Sequence, residues 1–521
     1  MMLYTYLSTR ADYNPAKTIL VFGPSDKVST PDDAERWAAN SGWRLLAEYE
    51  EAVLIVPVIR NGYSELDNTY PGKILSDNRN AFQSCCGRSL YQRREAIWCW
   101  ECLVYLVGYE DGAEYAGNCV VAEPGRFAAA ALINGGPTDY IRGNERTTHP
   151  LMKEVSDAYQ KTNREIESRI WLFSGDNDCI RKARDYFGDG KSLTVKNVPE
   201  AYDMDLAAEI MTEFFNKTVR WKDGPDGTVT EYLGRVAFYR DGEFIIEKVT
   251  IGVTDYPCAV RFPKGLDANA VKGLPLVFSV HGRGEPAWLF ATKNGWDTLQ
   301  DEMRDFVLAV PDSPGNIWQL ERDTNVFPAL IDCLCSKYSL DRSRVYLTGF
   351  SNGAMITGEV GSTYPELFAG ISPWNGPVHL KEELDHPVYM ERLRAEGYEM
   401  PAWICAGDKD PAASVDSLRE QLEYLLPADG CRFDPAAESV LGYRCDERRT
   451  GRNYYREDSG YREGDRFDTS VYTRSRDAEP IVCATIMRDM PHGAIKEQSR
   501  ACYMFLRRFR REGKQVSIIS K

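Results

Sequence analysis

Residues 344–358 read RVYLTGFSNGAMITG, and the Gly349-x-Ser351-x-Gly353 inside them decides how the rest is read. An apolar, β-type run, Val345-Tyr346-Leu347, enters the motif, and small, helix-compatible residues leave it. That order predicts a strand, a sharp turn and a helix. The two glycines let strand and helix approach closely, with Ser351 held on a strained turn and its Oγ exposed. The following backbone N–H groups point at the serine from a helix N-terminus, where they favour a developing negative charge. A chance glycine-rich turn is the plain alternative, and the flanking pattern weighs against it.

A serine hydroxyl is a weak nucleophile near neutral pH and needs a base, usually histidine, oriented by a carboxylate. Histidine is scarce: His149, His281, His379, His386 and His492 are the five present. In α/β-hydrolases the chain order is serine, acid, histidine, so only the last three qualify. His379 and His386 flank a charged, helix-like stretch, Leu380-Lys381-Glu382-Glu383-Leu384-Asp385, and read as surface residues. His492 sits in the loop-type Met490-Pro491-His492-Gly493, between the apolar run Ile481–Ile486 and an amphipathic C-terminal helix, and is the expected base. The acid should end a strand between serine and base. Pro401–Pro411 (PAWICAGDKDP) is an apolar strand running into a G-x-x-D turn, with Asp410 the first choice and Asp408 the reserve, since one of them could serve only as a turn cap.

An oxyanion hole needs a second N–H from the loop after an earlier strand. Leu274–Val280 is such a strand and ends in His281-Gly282-Arg283-Gly284. The expected donors are the backbone N–H groups of Arg283 and Asn352. His281, which precedes the serine, reads as a structural histidine.

These elements together resemble the polyhydroxybutyrate depolymerase and feruloyl/acetyl-xylan esterase branch of the α/β-hydrolases. That branch pairs an H-G-x oxyanion loop with a serine elbow, a G-x-x-D acid and a late histidine. Here they stand as His281-Gly282-Arg283, Gly349–Gly353, Gly407–Asp410 and Pro491-His492-Gly493, and the likeness covers about residues 230–515. The resemblance implies a serine esterase that needs no metal and no organic cofactor.

A second copy of the pattern lies upstream. Residues 104–135 align without a gap on residues 345–376, and twelve of the thirty-two positions are identical, both elbow glycines included (Gly108 and Gly112). Thr18–Phe22 with Gly23-Pro24 matches the strand before the oxyanion loop. Trp171–Asp178 matches the acid strand, and Asn197-Val198-Pro199-Glu200 matches the base loop. The chemistry is missing, for Glu110 replaces the nucleophile, Glu200 the histidine and Phe22 the oxyanion-loop histidine, and only Asp178 remains. The expectation is therefore tandem α/β-hydrolase folds, mostly parallel sheets flanked by helices, with the first copy catalytically degenerate. A new carboxylate site built from Glu110, Asp178 and Glu200 is the minority reading.

At 521 residues the chain is too long for one core. We expect an inactive domain over 1–220, a polar join at Arg220–Gly227, and a catalytic domain over 221–521 opened by edge strands at Tyr232–Tyr239, Phe244–Thr254 and Ala259–Phe262. A net charge of −15, from 78 acidic and 63 basic residues, argues against nucleic acid as a partner. No apolar run has the length of a membrane span, and Met1–Thr30 lacks a secretory layout. The 14 cysteines show no metal-type pairing, Cys99/Cys102 lying in an apolar stretch, and read as buried thiols. The expected location is the cytoplasm. A face shared by the two domains is expected, and the oligomeric state is left open.

From Asp410 to His492 the second copy is about 60 residues longer than the first is from Asp178 to Glu200, an insert at about 412–480. Its stretch 441–476, dense in arginine, acidic residues and tyrosine, reads as a solvated hairpin or loop, a lid, or a contact onto the first domain. Trp288, Trp318, Trp374 and Asn375 follow core strands and are the expected substrate-binding residues. The reading is a serine carboxylesterase acting on a small or medium ester, with an aromatic or apolar group favoured. A peptidase or amidase of the same fold and a non-catalytic scaffold are the alternatives.

Overall fold

Short apolar runs without polar alternation are what strands buried on both faces look like, and such runs form the centres of two sheets. The computed structural model describes residues 2–8, 17–64, 66–68, 71, 103–146, 162–190, 192–221, 228–231, 244–283, 287–314, 317–376, 393, 395–410, 412–431, 447–449, 467–474, 478–488, 490 and 492–519. The chain divides into two compact units, Met1–His149 with Ser156–Ala237, and Phe238–Lys521 with Pro150–Val155.

The first unit carries β1 (Leu3–Leu7), β2 (Thr18–Phe22), β3 (Val53–Pro57), β4 (Val104–Tyr109), β5 (Ala129–Ile133), β6 (Ile170–Phe173) and β7 (Leu193–Lys196). Their order in the sheet is β1-β3-β2-β4-β5-β6-β7. Only β1 runs antiparallel to its neighbour. A hairpin of β8 (Thr218–Trp221) and β9 (Thr228–Glu231) follows. Arg220 and Trp221 of the expected polar join belong to β8, and the division between units falls later, after Ala237. Arg220 is buried and donates to the carbonyls of Phe127 and Glu167, both at 2.6 Å, which fixes β8 to the first unit.

The second unit opens with an antiparallel pair, β10 (Ile245–Ile251) and β11 (Thr254–Arg261). Tyr232–Tyr239 lies outside the described residues. Then come β12 (Leu276–Val280), β13 (Val307–Pro311), β14 (Val345–Phe350), β15 (Gly370–Trp374), β16 (Ala402–Gly407), β17 (Glu447–Arg449), β18 (Phe467–Tyr472) and β19 (Val482–Met487). The order is β10-β11-β13-β12-β14-β15-β16-β19-β18-β17, parallel from β13 through β19. Helices Asn352–Thr363, Asp416–Ala428 and Lys496–Leu506 are among those flanking it, and β20 (Phe509–Glu512) pairs with β21 (Gln515–Ile518) near the end. The path β11-β13-β12-β14-β15-β16-β19 repeats the first unit's path strand for strand, antiparallel first strand included.

The insert is not a lid over its described length. Of residues 441–476, β17 and β18 are strands that extend the main sheet beyond β19, and five of six residues of β18 are buried. Thr469 and Thr485 join their hydroxyls across that pairing at 2.9 Å. The charged residues 450–466 lie outside the described residues, as do Cys99 and Cys102. The nine described cysteines are free thiols, most of them buried. Among the described residues no helix is long and apolar enough to cross a membrane.

Candidate active site

The site lies at the carboxyl ends of the parallel strands of the second unit, where open α/β sheets place ligands. β14 ends at Phe350, Ser351 follows with φ 54° and ψ −118°, and the helix begins at Asn352. A non-glycine residue there costs roughly 1–3 kcal/mol and persists only where the surroundings enforce it. They do so by contact. A Cβ on Gly349 would collide with the carbonyl of Gly353, and one on Gly353 would collide with the carbonyl of Val280. Ser351 N–H donates to Trp374 O at 2.9 Å, pinning the turn to β15.

Ser351 Oγ lies 2.9 Å from His492 Nε2, and His492 Nδ1 lies 2.8 Å from Asp410 Oδ2. Asp410 Oδ1 accepts the N–H groups of Ala412 and Ala413 at 2.8 and 2.9 Å, and Oδ2 also accepts Asn375 Nδ2 at 3.1 Å. Burial works against the charge on Asp410. The His492 contact and these donors outweigh it, and hold the carboxyl below its ordinary 3.8. The histidine ring packs on Phe350, centroids 4.9 Å apart, and Phe350 stacks on Phe290. Asp408, the reserve acid, is exposed and its carboxylate faces the N–H of Met490 at 3.4 Å, so it braces the base loop. The chain needs glycine at 407 for the same reason, because a Cβ there would strike the Met490 carbonyl. His149, His379 and His386 lie outside the described residues.

Asn352 provides the first N–H of its helix, one of the groups a helix leaves without an internal partner. Its side chain forms a reciprocal pair with the backbone of Trp318, whose N–H donates to Oδ1 at 2.7 Å and whose carbonyl accepts Nδ2 at 3.1 Å. Arg283 is exposed on the loop after β12. His281, two residues before it, is fully buried with Nδ1 2.7 Å from Gly282 O, and Nε2 accepts the Ser313 N–H at 3.3 Å. A carboxylate the sequence did not reveal also faces it: Asp312 Oδ1 lies 3.3 Å from His281 Nε2. Burial pushes that carboxyl up to about 7, against the pull of the Ser313 N–H.

The expected pocket residues fare differently. Trp318 is 2% exposed, packs on His281 and Phe327, and donates Nε1 to His281 O at 3.2 Å. Trp374 is 1% exposed, stacked on Trp296 and edge-on to Trp403. Both are core residues and offer no face to a ligand. Asn375 is equally buried and bonds to the acid. Trp288 falls in the helix Ala287–Lys293, and its side chain lies outside what is described. Sequence reasoning missed Asp312 and Gln498, neither of which stands in a motif. The true signal at Asn375 was its Asn-Gly pair, present in both copies: Asn375 has φ 48°, Asn134 φ 57°.

The first unit has an elbow of similar backbone with a glutamate at the place of Ser351. Glu110 has φ 56° and ψ −119°, close to the values at Ser351. Phe173 pairs with Lys196 and Cys405 with Thr485; counted from that register His492 falls at Asp203, while Glu200 stands four residues before its helix, as His492 does before Lys496. Asp203 caps the helix Met204–Glu213, and the ring of Tyr202 lies 5.0 Å from Tyr109, as His492 does from Phe350. The Tyr202 phenol is raised first by burial and further by the Glu110 charge. By strand register Gly23, not Phe22, stands at the place of His281, and Trp37 packs directly against it. Asp178 is exposed on its helix, bound to Lys182 at 2.7 Å and to Arg181. Glu110, Asp178 and Glu200 are not gathered into one site: among the described residues no three such side chains could hold a metal ion.

No family model matches the chain. It is 31% identical over 127 residues to poly(3-hydroxyalkanoate) depolymerase C of Paucimonas lemoignei, covering 22% of this chain and 30% of that one. It is 27% identical over 154 residues to a probable acetylxylan esterase A of Neosartorya fischeri, 26% of this chain and 42% of that one. It is 28% identical over 118 residues to feruloyl esterase B of Neurospora crassa, 20% and 39% of the respective lengths. The chain thus spans less than half the length of these relatives. Among solved structures, an acetyl xylan esterase from Aspergillus awamori aligns with a TM-score of 0.37 and 18% identity, over 48% of this chain and 94% of that one.

Proposed function

We propose that the second unit is a serine carboxylesterase. The observation that carries this is the continuous contact from Ser351 Oγ through His492 to Asp410, built on a strained elbow. In the proposed reaction His492 Nε2 takes the Ser351 proton as Oγ attacks the ester carbonyl carbon. The tetrahedral oxyanion is met by the Asn352 N–H, with the Arg283 N–H as second donor. Collapse breaks the bond to the alcohol oxygen, which receives the proton from His492. Water then attacks the acyl-enzyme, with the same histidine as base, and releases the acid and the free serine. Asp410, ionised, keeps the imidazole in the right tautomer and stabilises its charged form.

The relatives are named for acetyl, feruloyl and hydroxyalkanoate esters, all carboxylic esters, and this favours an ester over an amide substrate. We further infer that the first unit is a duplicated, catalytically silent copy, supported by the shared strand path and the paired elbow angles at Glu110 and Ser351. The free thiols suit a reducing compartment such as the cytoplasm. A panel of p-nitrophenyl esters from acetate to octanoate, beside the matching anilides, tests the reading. Esters should turn over, short chains best, and Ser351→Ala should lower kcat by roughly 10³-fold or more. Anilide cleavage at a comparable rate would favour an amidase, and unchanged turnover in Ser351→Ala would remove the assignment.

A further inference from the structure

Asn375 and Gln498 occupy the interior between the acid and base loops, 1% and 0% exposed. Gln498 lies in the helix that follows the base loop. Its Oε1 accepts the N–H of Ile495, three residues after His492, at 2.6 Å. Its Nε2 faces Cys405 Sγ at 3.0 Å and Asn375 Oδ1 at 3.5 Å. Those contacts commit the Asn375 oxygen to the interior, so its Nδ2 is turned onto Asp410 Oδ2, the oxygen that faces His492 Nδ1. The backbone of Asn375 is held at φ 48°, a left-handed conformation that asparagine tolerates and most residues do not. The N–H of Asn375 donates to Cys405 O at 2.8 Å, which locks the residue to β16.

We propose that Asn375 and Gln498 are positioning residues: a buried amide relay that sets the rotation of Asp410 and ties the base loop to it, so that His492 meets Ser351 in register. This rests on the esterase reading of the triad. Asn375 contacts no reacting atom in this scheme. It acts by sharing Asp410 Oδ2 with the imidazole, which fixes where that oxygen points and tempers its charge.

The test uses the full chain with Asn375→Gly, Asn375→Asp and Gln498→Met. Glycine accepts the left-handed backbone, so Asn375→Gly removes the amide without the strain an alanine would add. With p-nitrophenyl acetate, Asn375→Gly and Gln498→Met should lose about 10- to 100-fold in kcat with KM within twofold, as small misplacements of catalytic groups do. Asn375→Asp places a second carboxylate beside Asp410 and should move the acid limb of kcat/KM upward by about one pH unit, because added negative charge favours the imidazolium. A raised KM with unchanged kcat and an unmoved limb would overturn the proposal in favour of a substrate contact. Titration of His492 by NMR in the same variants gives a readout that needs no turnover. An upward shift in Asn375→Asp supports the relay even if ester hydrolysis fails, and an unshifted His492 in that variant overturns it whatever the substrate proves to be.

Discussion

Two aspartates stand two positions apart after β16, and their surroundings separate them. Asp410 is buried, faces His492 and takes donors on both oxygens, while Asp408 is exposed and faces the Met490 N–H. Asp410→Asn should therefore lower kcat/KM by about 10³- to 10⁴-fold, as loss of a triad acid does, and Asp408→Asn should stay within a few-fold. The reverse ranking, measured with a p-nitrophenyl ester, would move the acid role to Asp408. Because the Asp410 carboxyl sits below 3.8, it is ionised throughout the range in which a histidine titrates. The acid limb of the rate profile should then report a group other than Asp410. Ser351 and His492 were legible in sequence because a motif and an order rule act on few candidates. Trp318 and Trp374 were not, because a tryptophan after a strand reads the same whether its ring faces a cleft or the core. Only neighbours remote in sequence, His281 for the one and Trp296 for the other, decide that.

At the scale of elements, the apolar strands were legible because burial on both faces leaves no charged position to blur them: β12, β14, β15 and β16 are buried at every residue. The insert was legible only in part, as a possible hairpin but not as a buried one, for the opposite reason. Its charged residues dominate the composition of 441–476 and hide the strand Phe467–Tyr472, whose partner β19 follows only after a break. This changes what trimming should do. Deleting residues 441–476 removes β17 and β18, strips the ladder from one side of β19 and uncovers the side chains that Phe467, Val471 and Tyr472 pack against. An exposed apolar strand edge invites aggregation. The expected outcome is loss of soluble protein or a clear fall in thermal midpoint, read by yield and calorimetry. A soluble, equally stable deletion with altered ester preference would restore the lid reading.

Across the whole molecule, two elbows of nearly equal geometry carry one serine. The strain at Glu110 matches that at Ser351, and the same glycine contacts enforce both, since Cβ atoms on Gly112 and Gly353 would each strike a carbonyl at the end of the neighbouring strand, β2 or β12. The elbow is therefore a property of how strand, turn and helix pack, and chemistry depends on what is mounted there. That distinction was partly legible: the glycine spacing announced the backbone of both elbows, but not what fills the space beside the first. Pro199-Glu200 matches Pro491-His492 in composition and in its distance from the following helix, and Tyr202 fills the space beside Tyr109. A carboxylate facing a tyrosine cannot generate an alkoxide nucleophile, and an electrophilic phosphorus should find one target. A fluorophosphonate probe should add once per chain, at Ser351, as read by intact mass and peptide mapping, and Ser351→Ala should show no adduct. Glu110→Ala should leave both labelling and ester turnover within a few-fold. A second adduct inside residues 1–237, or a collapse of turnover in Glu110→Ala with the fold intact, would mean that the first unit takes part in the chemistry and is not silent.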